Sequence, residues 1–384
     1  MDLHAILGEG VNHSASDIHL KFGVPPIMRV NGHLLPLEGC PPLDRDAMAA
    51  LTGELLTEYH REKLSKQLQV DLGYGHPEYG RFRVNVFYQR GELQAALRLI
   101  PPRVRHIREL NLPSIVERIA QERRGLILVT GTTGSGKSTT LAAMIDQINR
   151  TAARHVITVE DPIEYLHGDE QSIVTQREIG VDCMTFAAGL KGALRQDPDV
   201  ILVGEMRDIE TIETAILAAE TGHLVMSTVH TLDATETITR IIAAFPEHAR
   251  PQARLILATI LKGVVSQRLV PRADGMGMVP GVEVMVSTAL VRECIQQPER
   301  TRELRDVIGK GFSTYGMQTF DQSLMQLWRE GFITFEEALA QSTNPDDFAL
   351  KARGINSSSD SRWDEFDKDE EPEAEDGNIK VDRF

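Results

Sequence analysis

The sequence predicts an α/β protein in which an α+β N-terminal region precedes a mostly parallel open sheet. From Leu126 onward, solid apolar runs of strand length alternate with segments whose apolar residues recur at helical spacing. In residues 1 to about 100 the apolar runs are short and are broken by Gly and Pro. Residues 290–350 carry a mostly helical pattern. We therefore expect two sheet-containing regions followed by a helical part.

The composition is typical of a multidomain globular protein. A chain of 384 residues is too long for one compact core, so two or three domains are expected. The net charge of −15 disfavours a free-standing nucleic-acid binder. The N-terminus does not have the pattern of a signal peptide, and no apolar stretch has the length of a membrane span. Three scattered cysteines, without a Cys-x-x-Cys pair, predict reduced cytoplasmic thiols and exclude a thiolate zinc site.

The N-terminal region contains two local signals of antiparallel structure. The segment from Phe82 to Tyr88 alternates apolar and polar residues, which is typical of a half-buried strand. Asn31-Gly32 lies between two apolar runs and predicts a hairpin. Pro101-Pro102 then marks a linker. We interpret the arginines that follow it as solvated surface charge, and contact with phosphate is the alternative.

In the second region the predicted strands and helices follow one another along the chain. The helical stripes include one made by Leu141, Met144, Ile145 and Ile148. Such alternation favours parallel strands that are buried on both faces. The apolar runs are Leu126–Val129, Val156–Val159, Val200–Val203 and Leu224–Val229.

A phosphate-binding loop is the strongest functional signal. Residues 131–138 fit the pattern Gly-x4-Gly-Lys-Ser/Thr, between a predicted buried strand and an amphipathic helix. Its glycines allow backbone N–H groups to point at phosphate oxygens, and the helix adds its positive N-terminal end. Lys137 can reach the terminal phosphates, and Ser138 can bind Mg²⁺. The predicted nucleotide-binding residues are Gly131, Thr132, Thr133, Gly134, Ser135, Gly136, Lys137, Ser138 and Thr139.

Acidic residues follow two further predicted strands. Glu205 comes after Val200–Val203, at the edge where open α/β sheets bind ligands, and could hold Mg²⁺ or orient water. The segment Glu160-Asp161-Pro-Ile-Glu164 follows another strand, and one of its acids could polarise an attacking water. A polar turn is the alternative for that segment.

Two histidines flank the predicted strand Leu224–Val229. His223 precedes this strand and His230 follows it. Histidines so close to the other motifs could sense phosphate, and a structural role is the alternative.

The last thirty residues, 355–384, differ from the rest. They contain eleven acidic and four basic residues, a net charge of −7, and few apolar side chains. Such a segment cannot bury enough apolar surface to offset its ordering entropy, so we predict disorder. A docking role towards a basic partner is the alternative.

These motifs, in this order and spacing, resemble the secretion-superfamily ATPases, and within them the twitching-motility (PilT/PilU-type) retraction ATPases. The resemblance covers about residues 1–350, and together its motifs are very specific. It includes Ser16–Leu20, Gly80–Asn85, Gly204–Asp208, Ala219–His223 and Gly316–Asp321.

The resemblance implies a fold, an assembly and residue roles. It implies a PAS-like N-terminal domain (1–100), a linker (101–114), a RecA-like ATPase core (115–290), a helical C-terminal region (291–354) and the acidic tail (355–384). It further implies a homohexameric ring in which ATP and Mg²⁺ bind between the two domains. Glu164 then matches the catalytic base, Glu205 the second carboxylate, and His223 and His230 the histidine box. Arg83 and Arg98 match the arginines that the N-terminal domain offers to the phosphates.

The family further implies a place in the cell and a set of partners. We expect a cytoplasmic motor for type IV pilus retraction, recruited to the inner face of the cytoplasmic membrane by a platform protein. It works either alone or beside a paralogous ATPase. Residues 289–295 depart from the family pattern, so the subtype stays open. A conjugation-type or nucleic-acid translocase ATPase, a small-molecule kinase and a non-hydrolysing accessory subunit are the alternatives.

Overall fold

The N-terminal domain, defined here as residues 2–100, is built on a six-stranded antiparallel sheet with strand order β3-β2-β1-β6-β5-β4. The computed structural model describes residues 2–101 and 103–355. The strands are β1 (Asp17–Lys21), β2 (Ile27–Val30), β3 (His33–Pro36), β4 (Gln69–His76), β5 (Gly80–Gln89) and β6 (Glu92–Ile100). Three helices pack on the sheet: α1 (Leu3–Asn12), α2 (Arg45–Leu55) and α3 (Glu58–Gln67).

Both local signals in this domain are confirmed. Asn31 and Gly32 have φ values of 49° and 84° and join β2 to β3 in a two-residue hairpin. Along β5, Phe82 and Val84 are buried in the core, whereas Arg81 and Arg83 lie on the opposite face. The alternation of this strand therefore directs its arginines away from the domain's own core.

The C-terminal domain, defined here as residues 103–355, contains a seven-stranded sheet with strand order β13-β12-β7-β11-β10-β8-β9. All neighbouring pairs are parallel except β12 and β13. Its strands are β7 (Gly125–Thr130), β8 (His155–Glu160), β9 (Ile173–Glu178), β10 (Val200–Val203), β11 (Leu224–Val229), β12 (Leu261–Pro271) and β13 (Met278–Val286). The predicted α/β class is confirmed.

Helices cover both faces of this sheet. Leu126 and Leu128 of β7 point into one core and Ile127 and Val129 into the other, which explains the uninterrupted apolar run of this strand. One face carries α4 (Ile115–Ala120) and α5 (Lys137–Thr151). The other carries α6 (Phe186–Ala193), α7 (Ile209–Glu220), α8 (Ala234–Ala243), α9 (Arg250–Ile260), α10 (Ala289–Gln296) and α11 (Leu304–Lys310).

The remaining helices form the end of the described chain. They are α12 (Phe312–Tyr315), α13 (Phe320–Arg329), α14 (Phe335–Gln341) and α15 (Pro345–Ala352), and two 3-10 helices span Glu247–Ala249 and Pro298–Glu303. Helices α13 to α15 share a small apolar core with the ends of β12 and β13. Among the described residues, no helix is both long and apolar enough to span a membrane. Residues 356–384, and with them nearly all of the predicted acidic tail, lie outside the described residues.

The connection between the domains is more apolar than its prolines indicate. Ile107, Leu110 and Leu112 are buried in the same core as α4 and α5. Of the three arginines in this segment, Arg103 and Arg108 form exposed ion pairs with Glu109 and Glu117. The segment is thus packed against the C-terminal domain through its apolar residues while its charges face solvent.

Candidate nucleotide site

The phosphate-binding motif forms a loop between β7 and α5. Gly134 and Gly136 have φ values of 81° and 93°, in the left-handed region that favours glycine. At Gly131 a Cβ atom would lie 2.5 Å from the hydroxyl oxygen of Ser135. The backbone of this loop therefore requires glycine at these positions, and its N–H groups remain at the N-terminal end of α5.

The Lys137 side chain is buried beneath the loop. Its Nζ donates hydrogen bonds to the carbonyl oxygens of Gly131 (2.9 Å) and Thr132 (2.8 Å). Burial lowers the pKa of Lys137, whereas the carboxylates of Glu205 and Glu164 act in the opposite direction. This ammonium group is thus held in place by the loop and lies within the field of both candidate carboxylates.

A cleft of about 530 Å³ lies beside the phosphate-binding loop, within the size range of ligand pockets. The cleft beside the loop is bordered by α5, the connection between the domains and the β12–β13 hairpin. Two buried atoms on its walls, the Ser135 hydroxyl and the Gln267 side-chain oxygen, have no hydrogen-bond partner among the described residues. Arg105 also lines the cleft. A nucleotide fits this site, because its phosphates can use the loop and its polar base and sugar can satisfy the unpaired atoms.

Glu205 and His230 meet at the carboxyl edge of the sheet. They follow β10 and β11, and His230 Nε2 lies 3.3 Å from Glu205 Oε2. The other carboxylate oxygen of Glu205 is 2.5 Å from Arg207 Nε. Ser138 is exposed in the first turn of α5. The described residues contain no group of three or more His, Cys, Asp or Glu side chains that could hold a metal ion. A donor set of one hydroxyl and one carboxylate suits Mg²⁺, which takes its other ligands from phosphate and water.

The acids after β8 have different environments. Glu160 is partly buried and accepts hydrogen bonds from Thr158 Oγ1 (2.6 Å) and Gln176 Nε2 (3.1 Å). Burial raises the pKa of Glu160, and these hydrogen bonds oppose the shift. Glu164 is only partly buried and accepts a hydrogen bond of 2.9 Å from Arg83 Nη1. Glu164 therefore contacts the N-terminal domain directly through its carboxylate.

The two N-terminal arginines are in register but have different partners. Arg83 on β5 pairs with Arg98 on β6 in the sheet. Arg83 reaches Glu164, whereas Arg98 Nε donates to Asp17 Oδ1 at 2.9 Å within its own domain. The structure thus brings Arg83, and not Arg98, to the acidic segment of the C-terminal domain.

His223 lies at the other end of its strand. Its ring Nδ1 is 2.9 Å from the carbonyl oxygen of Ala218, and its own carbonyl oxygen accepts a hydrogen bond from Gly125 N. The six residues of β11 separate it from His230 by about 20 Å. Within one chain, therefore, His223 is not brought to the phosphate-binding loop, and its catalytic role stays a prediction.

Two contacts were not predicted from the sequence. The hydroxyl of Tyr165 lies 3.0 Å from Thr139 Oγ1 and joins the acidic segment to α5. Arg81 and Glu178 form an ion pair between the two domains. Arg81 could have been noticed, because it shares a strand face with Arg83. Glu178 could not have been noticed in this way, because a single acidic residue at the end of an edge strand is an ordinary surface feature in a sequence.

Comparisons with known proteins agree on one family. The family model described as "Type II/IV secretion system protein" matches residues 65–338. The "Type IV pilus retractation ATPase PilT" of Pseudomonas aeruginosa is 40% identical over 348 residues, which cover 91% of this chain and 100% of that protein. The "Type IV pilus ATPase PilU" of the same organism is 40% identical over 350 residues, covering 91% of each chain.

A solved structure extends this agreement to the fold. The crystal structure of the "Pilus Retraction Motor PilT and Bound ADP" matches with a TM-score of 0.81 and 45% identity, covering 90% of this chain and 98% of that one. Because sequence, fold and nucleotide site agree, the chain belongs to the type II/IV secretion system protein family and is a PilT/PilU-type ATPase.

Proposed function

We propose that this chain is an Mg²⁺-dependent ATPase that powers the retraction of type IV pili. The observation that carries the proposal is the 2.9 Å contact between Arg83 and Glu164, which joins the N-terminal domain to the acidic segment beside the phosphate-binding loop. An ATPase that produces movement needs such a contact between a domain that moves and a group that takes part in the chemistry. The relatives' names, which refer to pilus retraction, support the choice of substrate.

The proposed roles follow from position and chemistry. Lys137 and the loop N–H groups hold the phosphates of ATP, and Thr139 continues the loop into α5. Ser138 and Glu205 hold Mg²⁺, which would neutralise charge on the phosphates. Glu164 accepts a proton from the attacking water. These groups follow strands β7, β8 and β10, at the carboxyl edge of the sheet.

The arginines and histidines complete the proposed site. When Arg83 separates from Glu164, its guanidinium neutralises charge that develops on the γ-phosphoryl group. Arg98 assists in the same way when it separates from Asp17. His230 orients Glu205 through their 3.3 Å contact. For His223 we propose a role at the contact with a neighbouring copy, because its own chain holds it away from the loop.

The proposed assembly is a homohexameric ring that docks on an inner-membrane platform protein from the cytoplasmic side. The 40% identities to both PilT and PilU leave the subtype open, and a paralogous ATPase is a further proposed partner. We expect no nucleic-acid partner, because the chain carries a net charge of −15.

The deciding experiment is ATP hydrolysis measured against protein concentration, with Lys137→Ala as the inactive control. Specific activity should rise with concentration, because sites completed by assembly become active only in the ring. Activity that is independent of concentration in a monomer would contradict the proposed ring. Strong stimulation by DNA would instead favour a translocase. Deleting the gene in its own organism should abolish twitching and leave extended pili, and unchanged pilus retraction would contradict the proposed substrate.

A further inference from the structure

A buried ion pair joins the two domains beside the proposed catalytic glutamate. Arg81 on β5 contacts Glu178 at the end of β9, and their side chains are only 15% and 6% exposed. Surface ion pairs contribute little to stability, but a charge that is buried needs its partner, because it has lost the solvation of water. Each member of this pair therefore depends on the other, whereas the members of the exposed ion pairs remain solvated by water when they separate.

Backbone groups of both domains complete the contact. Glu178 Oε1 accepts a hydrogen bond from Gly73 N of β4 (3.2 Å), and Oε2 accepts one from Ile163 N (3.2 Å). Arg81 Nε donates to the carbonyl oxygen of Ile163 at 2.7 Å. Both backbone polar groups of Ile163 are thus held by one ion pair. We name the set of Gly73, Arg81, Ile163 and Glu178 the interdomain clamp.

Gly73 makes room for the clamp. A Cβ atom at this position would lie 2.8 Å from Glu178 Oε2 and 2.9 Å from Arg81 Cζ. Since contacts below 3.0 Å are not tolerated, any side chain here would displace the ion pair. Gly75, on the same strand, has only an ordinary contact of 3.8 Å with Arg81 Nη1. The two glycines therefore provide a matched pair of positions.

The clamp holds both members of the Arg83–Glu164 contact. Ile163 directly precedes Glu164 in the chain, and Arg81 is two residues before Arg83 on the same face of β5. A rotation of the N-terminal domain that moves Arg81 therefore pulls on the Ile163 backbone, next to the carboxylate.

We propose that Arg81 and Glu178 are positioning residues: the interdomain clamp transmits the position of the N-terminal domain to the Glu164 carboxylate. This inference rests on the proposed catalytic role of Glu164. Misplacing a catalytic group by about 1 Å can reduce turnover roughly 100-fold while substrate binding is retained.

The test compares Gly73→Ala and Glu178→Gln with Gly75→Ala and Glu92→Gln. Glu92 forms an exposed pair with Arg45 inside the N-terminal domain, so its substitution controls for the loss of one carboxylate. Turnover, KM and the affinity for a fluorescent ADP analogue are measured for each full-length protein. We expect kcat to fall roughly 10- to 100-fold in the two clamp variants, with nucleotide affinity close to wild type, and to stay unchanged in the two controls. The melting temperature should fall in Glu178→Gln, because the buried Arg81 charge loses its partner, and a retained nucleotide affinity then shows that the site is still folded.

A second measurement separates positioning from general damage. In a Glu164→Gln background the Glu178→Gln change should cause no further loss of kcat, because the group that it positions is already inactive. Additive losses, wild-type kcat in Gly73→Ala, or a parallel loss of kcat and nucleotide affinity would each overturn the inference. If instead the wild type does not hydrolyse ATP, or Glu164→Gln retains full turnover, the proposed function fails, and that outcome is distinguishable from failure of the clamp alone.

Discussion

Arg83 and Glu164 face each other across the two domains, with 2.9 Å between Nη1 and Oε1. Their side chains are 46% and 27% exposed, so water screens the pair and its contribution to stability is at most about 1 kcal/mol. A weak ion pair of this kind can be exchanged for another partner at low cost. For Arg83 we propose phosphate oxygens at the phosphate-binding loop as that other partner. The pair is therefore suited to a reversible contact rather than to holding the domains together.

Glu164→Gln should reduce kcat by about 100- to 10,000-fold, because the amide cannot accept a proton from water. Nucleotide affinity should change little, since Lys137 and the loop remain intact. Steady-state ATP hydrolysis and binding of a fluorescent ADP analogue check both parts. Glu210→Gln, in an exposed pair with Lys191, is the matched control. Full turnover in Glu164→Gln would show that another group accepts the proton.

Lys137→Ala should abolish measurable nucleotide binding. The variant removes the only ammonium group that the loop holds, through two carbonyl hydrogen bonds, next to the phosphate position in the described structure. Equilibrium titration with the ADP analogue measures the effect, and Lys191→Ala, a change at an exposed lysine on α6, is the control. Binding within a few-fold of wild type would mean that the phosphates lie elsewhere.

Much of the fold could be predicted because its signals are local. The apolar run of β7 follows from burial on both faces, and the Asn31–Gly32 hairpin follows from two residues that tolerate a positive φ. The loop at residues 131–138 combines an apolar strand with residues that tolerate a positive φ, since its glycines directly follow a buried strand and precede a helix. Such features depend on neighbours in the sequence and not on the tertiary arrangement.

The rest of the candidate site depends on contacts that local patterns do not encode. Arg81 and Glu178 are 97 residues apart, and only the packing of one domain on the other brings them together. His223 shows a different limit. Its motif resembles that of a site residue, but it precedes a parallel strand, and the amino end of β11 lies away from the loop. Strand direction could have indicated this position from the sequence.

Glu205→Gln should raise the Mg²⁺ concentration needed for half-maximal ATP hydrolysis, and removal of Mg²⁺ with EDTA should stop hydrolysis in the wild type. The neutral amide is a weaker Mg²⁺ ligand than a carboxylate, while the hydroxyl of Ser138 is unchanged. Activity is measured over a Mg²⁺ titration at saturating ATP. Glu236→Gln, at a glutamate in the first turn of α8, is the control. An unchanged Mg²⁺ requirement would exclude Glu205 from the metal site.

Glu283→Gln should stabilise the folded chain at alkaline pH. Burial raises the pKa of Glu283 to about 7 from 4.5, although its oxygen accepts a hydrogen bond from Ala234 N at 2.9 Å. Asp233 adds to the shift, whereas Arg305 and Arg268 oppose it. Because the folded chain keeps this proton at a pH where the unfolded chain has lost it, the corresponding stability, on the order of 3 kcal/mol, is present below pH 4.5 and lost as pH rises to 7.

The glutamine retains an oxygen for Ala234 N and carries no charge at any pH, so it removes this loss. Thermal unfolding of wild type and variant at pH 5 and pH 8 measures the effect. The melting temperature of Glu283→Gln should exceed that of wild type at pH 8, and the difference should shrink at pH 5, where wild-type Glu283 is largely protonated. Glu92→Gln should show no such pH-dependent gain, because Glu92 pairs with Arg45 near the surface. A variant that is less stable than wild type at pH 8 would contradict this prediction. It would mean that the neighbours of Glu283 stabilise its ionised carboxylate, so that burial of this charge does not destabilise the fold.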